Sequence, residues 1–254
     1  MGVRFSYGNG VVLDDVNLKL DPGFTAIVGP NGSGKTTLLK IIAGILRPDR
    51  GEVEIDGKPV HRMKRSEISK ILTLVSQDYE TSFDYAVIDV VLMGGLVRGL
   101  FPNSRDVERA RNILNDLGIG RLAERSFRRL SGGEKRLVLL AKALFQGVEI
   151  LLVDELELHL DPGREVEVAG LLREMANSGK TIVSVFHDVN LAVSISNRLI
   201  GLRRGEIVFD VDPESDSLPE LLSDLYRTEF EKFRLGNRWF VLPRIRCGIL
   251  SDEG

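Results

Sequence analysis

Short apolar runs and helical stripes alternate along this chain, and the alternation predicts an α/β fold built around a mainly parallel sheet. Phe24-Thr25-Ala26-Ile27-Val28 reads as a buried strand that stops at Gly29, and Leu38, Leu39, Ile41, Ile42 and Ile45 then recur at the spacing of a helix face. Glu52 to Ile55 followed by Asp56-Gly57 reads as a strand and its turn, and Leu72 to Val75 as a strand that closes at Ser76-Gln77. Ile150 to Val153 and Thr181 to Phe186 are almost continuously apolar, the pattern of strands covered by helices on both faces. Ile200 to Leu202, Gly205 and Glu206 to Phe209 read as a terminal hairpin. From about residue 79 to 147 the pattern changes: Val107, Ala110, Ile113, Leu114 and Leu117 mark a helix and no strand is expected, so this stretch reads as a helical insertion. The expected organisation is one domain over residues 1–254, with a core of 1–78 and 148–211, a helical subdomain of 79–147 and a C-terminal extension of 212–254 that mixes a helix with an extended Arg238–Pro243 segment.

Composition narrows the class without naming a function. With 254 residues, 43% hydrophobic and 28% charged, the chain suits one sizeable globular core, and excludes disorder, collagen-like repeats and disulfide scaffolds. A net charge of −3 supplies no general attraction to nucleic acid or anionic lipid. The single cysteine, Cys247, cannot close an internal disulfide, which makes a reducing compartment the expectation. No charged n-region and apolar h-region follow Met1, and no apolar run approaches the roughly 20 residues that cross a bilayer. A role at a membrane would therefore run through a partner.

Candidate chemistry begins where the first buried strand ends. Gly29-Pro30-Asn31-Gly32-Ser33-Gly34-Lys35-Thr36-Thr37 fits the G-x-x-x-x-G-K-[ST] phosphate loop between a strand and a helix. Glycines let backbone N–H groups turn inward around a phosphate, and the following helix presents its free amides and partial positive charge to the same anion. In such a loop Lys35 reaches the β- and γ-phosphates of ATP and the Thr36 hydroxyl ligates Mg²⁺. The plain alternative is a glycine-rich turn that binds nothing. A second acidic feature closes the strand Ile150 to Val153: Asp154 and Glu155 stand where buried parallel strands open onto a ligand site. Asp154 suits Mg²⁺ through water, and Glu155 suits a general base for the attacking water. Taken alone, the pair could equally be a strand running out into solvent.

Leu130-Ser131-Gly132-Gly133-Glu134 reads first as a capping box, with Ser131 at the N-cap and Glu134 at N3, opening a helix through Leu137, Leu140 and Leu144. With this stretch the chain resembles the ATP-binding cassette (ABC) family, in which LSGG followed by Glu or Gln is the signature. The order and spacing of the phosphate loop, Gln77, the signature, Asp154-Glu155, Asp161 and His187 agree with that family over about residues 1–210. The resemblance implies a phosphate-loop NTPase fold of the ABC ATPase type, with an N-terminal antiparallel β region. It implies that Tyr7 stacks on adenine, with Phe5 on the same strand face as its backup. It implies that Gln77 contacts Mg²⁺ or the attacking water and hinges the helical part, and that His187 touches the γ-phosphate. By the same resemblance Ser131, Gly132, Gly133 and Glu134 serve an ATP held by a second copy of the chain, and Asp161 lies in the loop that links the two sites. Catalysis would fall to Glu155, His187, Gln77 and Lys35, and the metal to Thr36, Gln77 and Asp154. The chain departs from the family at Leu156 and Glu157, where Pro and then Thr or Ser are usual, and at Arg136 and Leu137, where Gln and Arg are frequent.

Three classes compete within the family: a transporter ATPase, a soluble ATPase of repair, translation or iron–sulfur assembly, and a non-hydrolysing module. The interval from Lys35 to Asp154 is too short for long coiled-coil arms, and one phosphate loop with one signature excludes a tandem protein. Lys35, Glu155 and His187 together disfavour the third class. Phe83 to Gly94 and Arg125-Ser126-Phe127-Arg128-Arg129 are similar to iron-siderophore, haem and cobalamin importer ATPases. The expectation is the ATPase subunit of a metal-chelate importer, of the iron-siderophore, haem or cobalamin type, on the cytoplasmic face of the membrane. It would pair with a second copy, with integral permease subunits and indirectly with a substrate-binding protein, and it would not bind nucleic acid. An exporter subunit and a soluble ABC ATPase stay as alternatives.

Overall fold

The computed structural model describes residues 2–8, 10–76, 84–97, 99, 102–155, 161–236 and 238–244. An antiparallel pair, β1 (Val3–Tyr7) and β2 (Gly10–Val16), precedes β3 (Gly23–Val28) and α1 (Lys35–Ile42). Gly44 at φ 67° stops that helix, so Ile45 falls outside the helical face expected for it and is 45% exposed. The strand expected from Glu52 is only β4 (Glu54–Ile55), which turns through Asp56 and Gly57, both left-handed, into β5 (Lys58–Pro59). Pro59 stands opposite Glu54 and has no N–H with which to extend the ladder. Next come α2 (Arg65–Ile71) and β6 (Leu72–Val75).

Three helices follow: α3 (Val87–Leu96), α4 (Ser104–Asp116) and α5 (Gly132–Gln146). Asn103 caps α4 by accepting from the backbone N–H groups of Arg105 and Asp106, and Gly147 closes α5 in the left-handed region. Among the described residues of this stretch the only β pairing is the isolated bridge between Ala86 and Ser126. The chain then alternates through β7 (Ile150–Asp154), α6 (Pro162–Asn177), β8 (Thr181–Val185), α7 (Val189–Ile195) and β9 (Arg198–Arg203). It closes with β10 (Glu206–Val211), α8 (Leu218–Tyr226) and a hairpin of β11 (Phe230–Leu235) with β12 (Arg238–Pro243).

The main sheet runs β10-β9-β3-β8-β7-β6; all its pairs are parallel except β10 on β9, the expected hairpin. Side-chain alternation sends the two halves of each apolar run to opposite faces. Phe24, Ala26 and Val28 of β3 join Leu151 and Val153 of β7 in one core, with Leu137 and Leu140 of α5. Ile27, Leu152, Val183 and Val185 go to the other, against Leu38 and Leu39 of α1 and Leu13 of β2. Both faces are thus buried, and each enclosed leucine contributes about 2 kcal/mol. No helix among the described residues is long and apolar enough to cross a membrane.

Candidate active site

The carboxyl ends of β3, β7 and β8 meet at one edge of the sheet, and the register puts the expected chemistry there. β3 runs into the phosphate loop. Gly29 has φ 155°, and a Cβ on it would lie 2.0 Å from the Leu202 carbonyl oxygen, so no other residue fits without moving β9. Gly34, at φ 104°, precedes α1 with no side chain capping the helix, whose first N–H groups are left for an anion. Lys35 is buried, and its Nζ donates to the carbonyls of Gly29 (2.8 Å) and Pro30 (3.1 Å). The ammonium is thereby held inside the loop's own curve. Asn31 and Gly32 are exposed at its tip, and Thr37 is buried beneath it. Ser33 Oγ is buried without a hydrogen-bond partner among the described residues. A buried hydroxyl without a partner, beside a helix start with no side-chain cap, is what a phosphate oxygen would satisfy.

Thr36 Oγ1 donates to Asp154 Oδ1 at 3.1 Å, which fastens the loop to the end of β7. Asp154 is only 7% exposed, and burial raises its carboxyl above the usual range. The Thr36 hydrogen bond opposes that shift; the Glu155 charge adds to it, while Lys40 and Lys35 oppose it. Asp154 pairs with Val185, so Glu155 and His187 leave neighbouring parallel strands at the same end of the sheet. His187 Nε2 lies 2.7 Å from Glu155 Oε1. Glu155 sits at φ 52°, a left-handed conformation that turns its side chain back across the strand ends.

Ser131 and Glu134 form the expected capping box: Ser131 N–H donates to Glu134 Oε2 (3.0 Å), and Glu134 N–H donates to Ser131 Oγ (3.3 Å). The Ser131 backbone N–H is the main reason the Glu134 carboxyl lies below its usual range; burial opposes it, and the Ser131 hydroxyl, Arg121 and Arg125 assist. Ser131 and Gly132 are exposed and Gly133 is buried. Among the described residues no hydrogen bond joins this turn to the phosphate loop of the same chain. Asp161 caps α6 by accepting from Arg164 N–H at 3.1 Å. Tyr7 is 53% exposed, with its ring edge-on to Phe5 at 4.9 Å, so the two do share a face. Phe5, however, is 7% exposed and packs in the core beneath Tyr7, which leaves it no free ring face as an alternative stacking surface. Gln77, Leu156 and Glu157 lie outside the described residues.

Two contacts of this site were not expected from the sequence. Arg136 of α5, noted only as a departure from a family pattern, is buried and donates from Nη1 to the Glu155 carbonyl oxygen at 3.1 Å. A charged residue inside an apolar helix stripe was the available signal. Tyr226 at the end of α8 stands close enough to the Gly29 backbone to feel it: burial pushes its phenol up to about 12, and the Gly29 backbone opposes that shift. Nothing local in the sequence joins residues so far apart.

The chain is 34% identical to the hemin import ATP-binding protein HmuV of Rhodopseudomonas palustris (strain BisB18), over 82% of this chain and 80% of that one. It is 32% identical to the iron(3+)-hydroxamate import ATP-binding protein FhuC of Bacillus subtilis (strain 168), over 89% and 86%. Among solved structures it superimposes on the ATP-binding cassette MJ0796, a dimer in a post-hydrolysis state with ADP and Pi. The TM-score there is 0.77 and the identity 30%, over 84% of this chain and 97% of that one. Residues 13–157, more than half of the chain, match the ABC transporter family. On that match and on an identity of about one third to import ATP-binding proteins, the chain belongs to the ABC transporter family as one of its ATP-hydrolysing subunits.

Proposed function

We propose that this chain is the ATPase subunit of a membrane importer for metal chelates, docked as a peripheral protein on the cytoplasmic face beneath integral permease subunits. The names of the hemin and iron(3+)-hydroxamate relatives support the cargo class, and the dimeric cassette supports a second copy of the chain as partner. The observation that carries the enzymatic part is the contact of His187 with Glu155 beside the Thr36–Asp154 bond, at the mouth of the phosphate loop.

In this reading the loop amides of residues 29–37 and the N-terminus of α1 hold the phosphates of ATP, Lys35 exchanges its two carbonyl partners for β- and γ-phosphate oxygens, and Tyr7 offers its exposed ring to the adenine. Thr36, Asp154 and Gln77 would hold Mg²⁺, which neutralises charge on the phosphates. The fit is chemical: a hydroxyl and a buried carboxylate 3.1 Å apart are hard oxygen donors. Phosphate oxygens and water would supply the other positions that a hard cation takes. Glu155 removes a proton from the water that attacks the γ-phosphorus, and the β–γ bridging oxygen leaves with ADP. His187 orients that carboxylate and meets the γ-phosphate. Ser131, Gly132 and Gly133 bind the γ-phosphate of the partner's ATP, and Asp161 lies at the junction of the two sites. Hydrolysis cuts the γ-phosphate free, its departure as inorganic phosphate removes the charge that joins the two copies, and their parting drives the permease.

Glu155→Gln tests this. It should abolish Mg-ATP hydrolysis while leaving nucleotide binding, and it should elute from a sizing column as an ATP-dependent dimer. Wild-type turnover in the variant would remove Glu155 as the base. A monomer with nucleotide bound would remove the sandwich. Purification of the chain from membranes with an integral partner tests the transport half.

A further inference from the structure

Helix α5 carries two things at once. Its N-terminus is the exposed Ser131-Gly132 turn, and one helical turn further on it places a buried arginine against the backbone of the acidic strand end. Arg136 is 7% exposed, and its guanidinium donates to the carbonyl oxygen of Glu155. That carbonyl belongs to a residue held at φ 52°, a conformation L-residues avoid and the surroundings must enforce. The Glu155 carboxylate is fixed at its other end by His187. Glu155 is thus held on both sides of its Cα, and without the donor on its carbonyl, rotation about the Cα–C bond would change the angle between the backbone and the carboxylate. The donor that resists this rotation comes from a different part of the fold, across a separation of 19 residues.

We propose that Arg136 is a positioning residue: it locks the left-handed turn at Glu155, keeps the carboxylate aimed at the attacking water, and ties that aim to the signature helix. Each chain would then carry a rigid link between the turn it offers to its partner's ATP and the base it uses on its own. The inference rests on the reading of Glu155 as general base. It also gives the departure at this position a purpose, because a guanidinium has the length and the donors to reach a backbone carbonyl from inside a packed helix.

The test compares Arg136→Met, Arg136→Lys and Glu155→Gln in the full chain. Methionine keeps most of the apolar stem and loses the donors; lysine keeps a donor on a stem of similar length. Arg136→Met should lower kcat by about tenfold or more, the scale of a misaligned reacting group, with KM for ATP and nucleotide affinity unchanged. Arg136→Lys should restore most of kcat. Arg136→Met combined with Glu155→Gln should still form the ATP-dependent dimer, since binding is untouched. If Arg136→Met does not fold, Arg136→Leu, which also lacks donors, takes its place in the same comparison. The proposal is overturned if the folded variant keeps wild-type kcat. It is also overturned if kcat falls only in step with nucleotide affinity, or if lysine is as slow as methionine. Full turnover in Glu155→Gln would instead sink the reading beneath it, so the two failures are told apart.

Discussion

The phosphate-loop edge and the signature turn are both glycine-rich helix starts, yet they are built in opposite ways. At the first, polar groups are buried and wired across the whole fold: Thr36 reaches Asp154 over 118 residues, and Lys35 and Asp154 are each less than 10% exposed. At the second, Ser131 and Glu134 bond only across three residues, and the turn faces outward. A buried network of this kind can be preorganised for chemistry, with Ser33 Oγ and the first N–H groups of α1 left open to an anion. A turn that satisfies its own backbone and leaves its face open is built to meet another molecule. Under the proposed function, the first would take the chain's own nucleotide and the second would face its partner's.

Exchanging the same atom in both places should break the likeness most sharply. At Gly29 an added Cβ meets the Leu202 carbonyl oxygen at 2.0 Å; at Gly132 it meets nothing within 4 Å. Gly29→Ala should therefore cost about 3 kcal/mol of stability, through overpacking and a strained φ, and abolish ATP binding. Gly132→Ala should leave the fold as stable or up to about 1 kcal/mol more stable, through helix propensity. It should still slow hydrolysis by crowding the face offered to the partner. Thermal melts with nucleotide titration decide this. A destabilised Gly132→Ala would mean that the face is not open, and full turnover would mean that it is not a contact surface.

Asp154 gives a second, smaller contrast. Burial raises its carboxyl above the usual range, so the folded state takes up this proton at a higher pH than the unfolded chain does. The stabilisation from that proton is full below the unfolded value of 3.8 and is lost as pH rises through the folded value. At neutral pH the charged carboxylate is therefore a net liability of the nucleotide-free fold. Asp154→Asn keeps an acceptor for Thr36 and removes the charge. It should raise the melting temperature near pH 7.5, by a margin that shrinks on acidification, while cutting Mg-ATP hydrolysis about 100-fold. A melting temperature that falls instead would show that the charge stabilises the loop.

What could be read in advance divides along the same line. The runs Ile150 to Val153 and Thr181 to Phe186 announced themselves as β7 and β8 because burial on both faces leaves nothing polar to break the run. The phosphate loop and the capping box were legible because glycine, lysine, serine and glutamate act there on near neighbours. Contacts that depend on tertiary approach were hidden: Arg136 on Glu155, and Tyr226 on Gly29. So was the burial of Phe5 beneath Tyr7, which a period of two cannot distinguish. Phe230–Leu235 went unread as the partner of the extended Arg238–Pro243 segment, although alternating residues on both sides of Gly236-Asn237 are a hairpin signal.

The smallest expected effect separates the cap of α5 from its use. The Ser131 backbone N–H holds the Glu134 carboxyl below its usual range, so the folded state keeps this carboxylate ionised where the unfolded chain begins to protonate it. Its contribution is present above the unfolded value of 4.5 and is lost as pH falls through the folded value. Glu134→Ala should cost about 0.5 kcal/mol in urea melts at pH 7, and the gap from wild type should close in the acidic range. Glu134→Gln, which keeps an acceptor for the Ser131 N–H, should cost less. Because Ser131 Oγ lies 3.1 Å from the same carboxylate, the alanine variant also frees that hydroxyl to turn, and hydrolysis should slow modestly without a change in ATP affinity. A loss of turnover as deep as that of Glu155→Gln would place Glu134 in the chemistry itself and erase the distinction between a wired site and a self-capped turn.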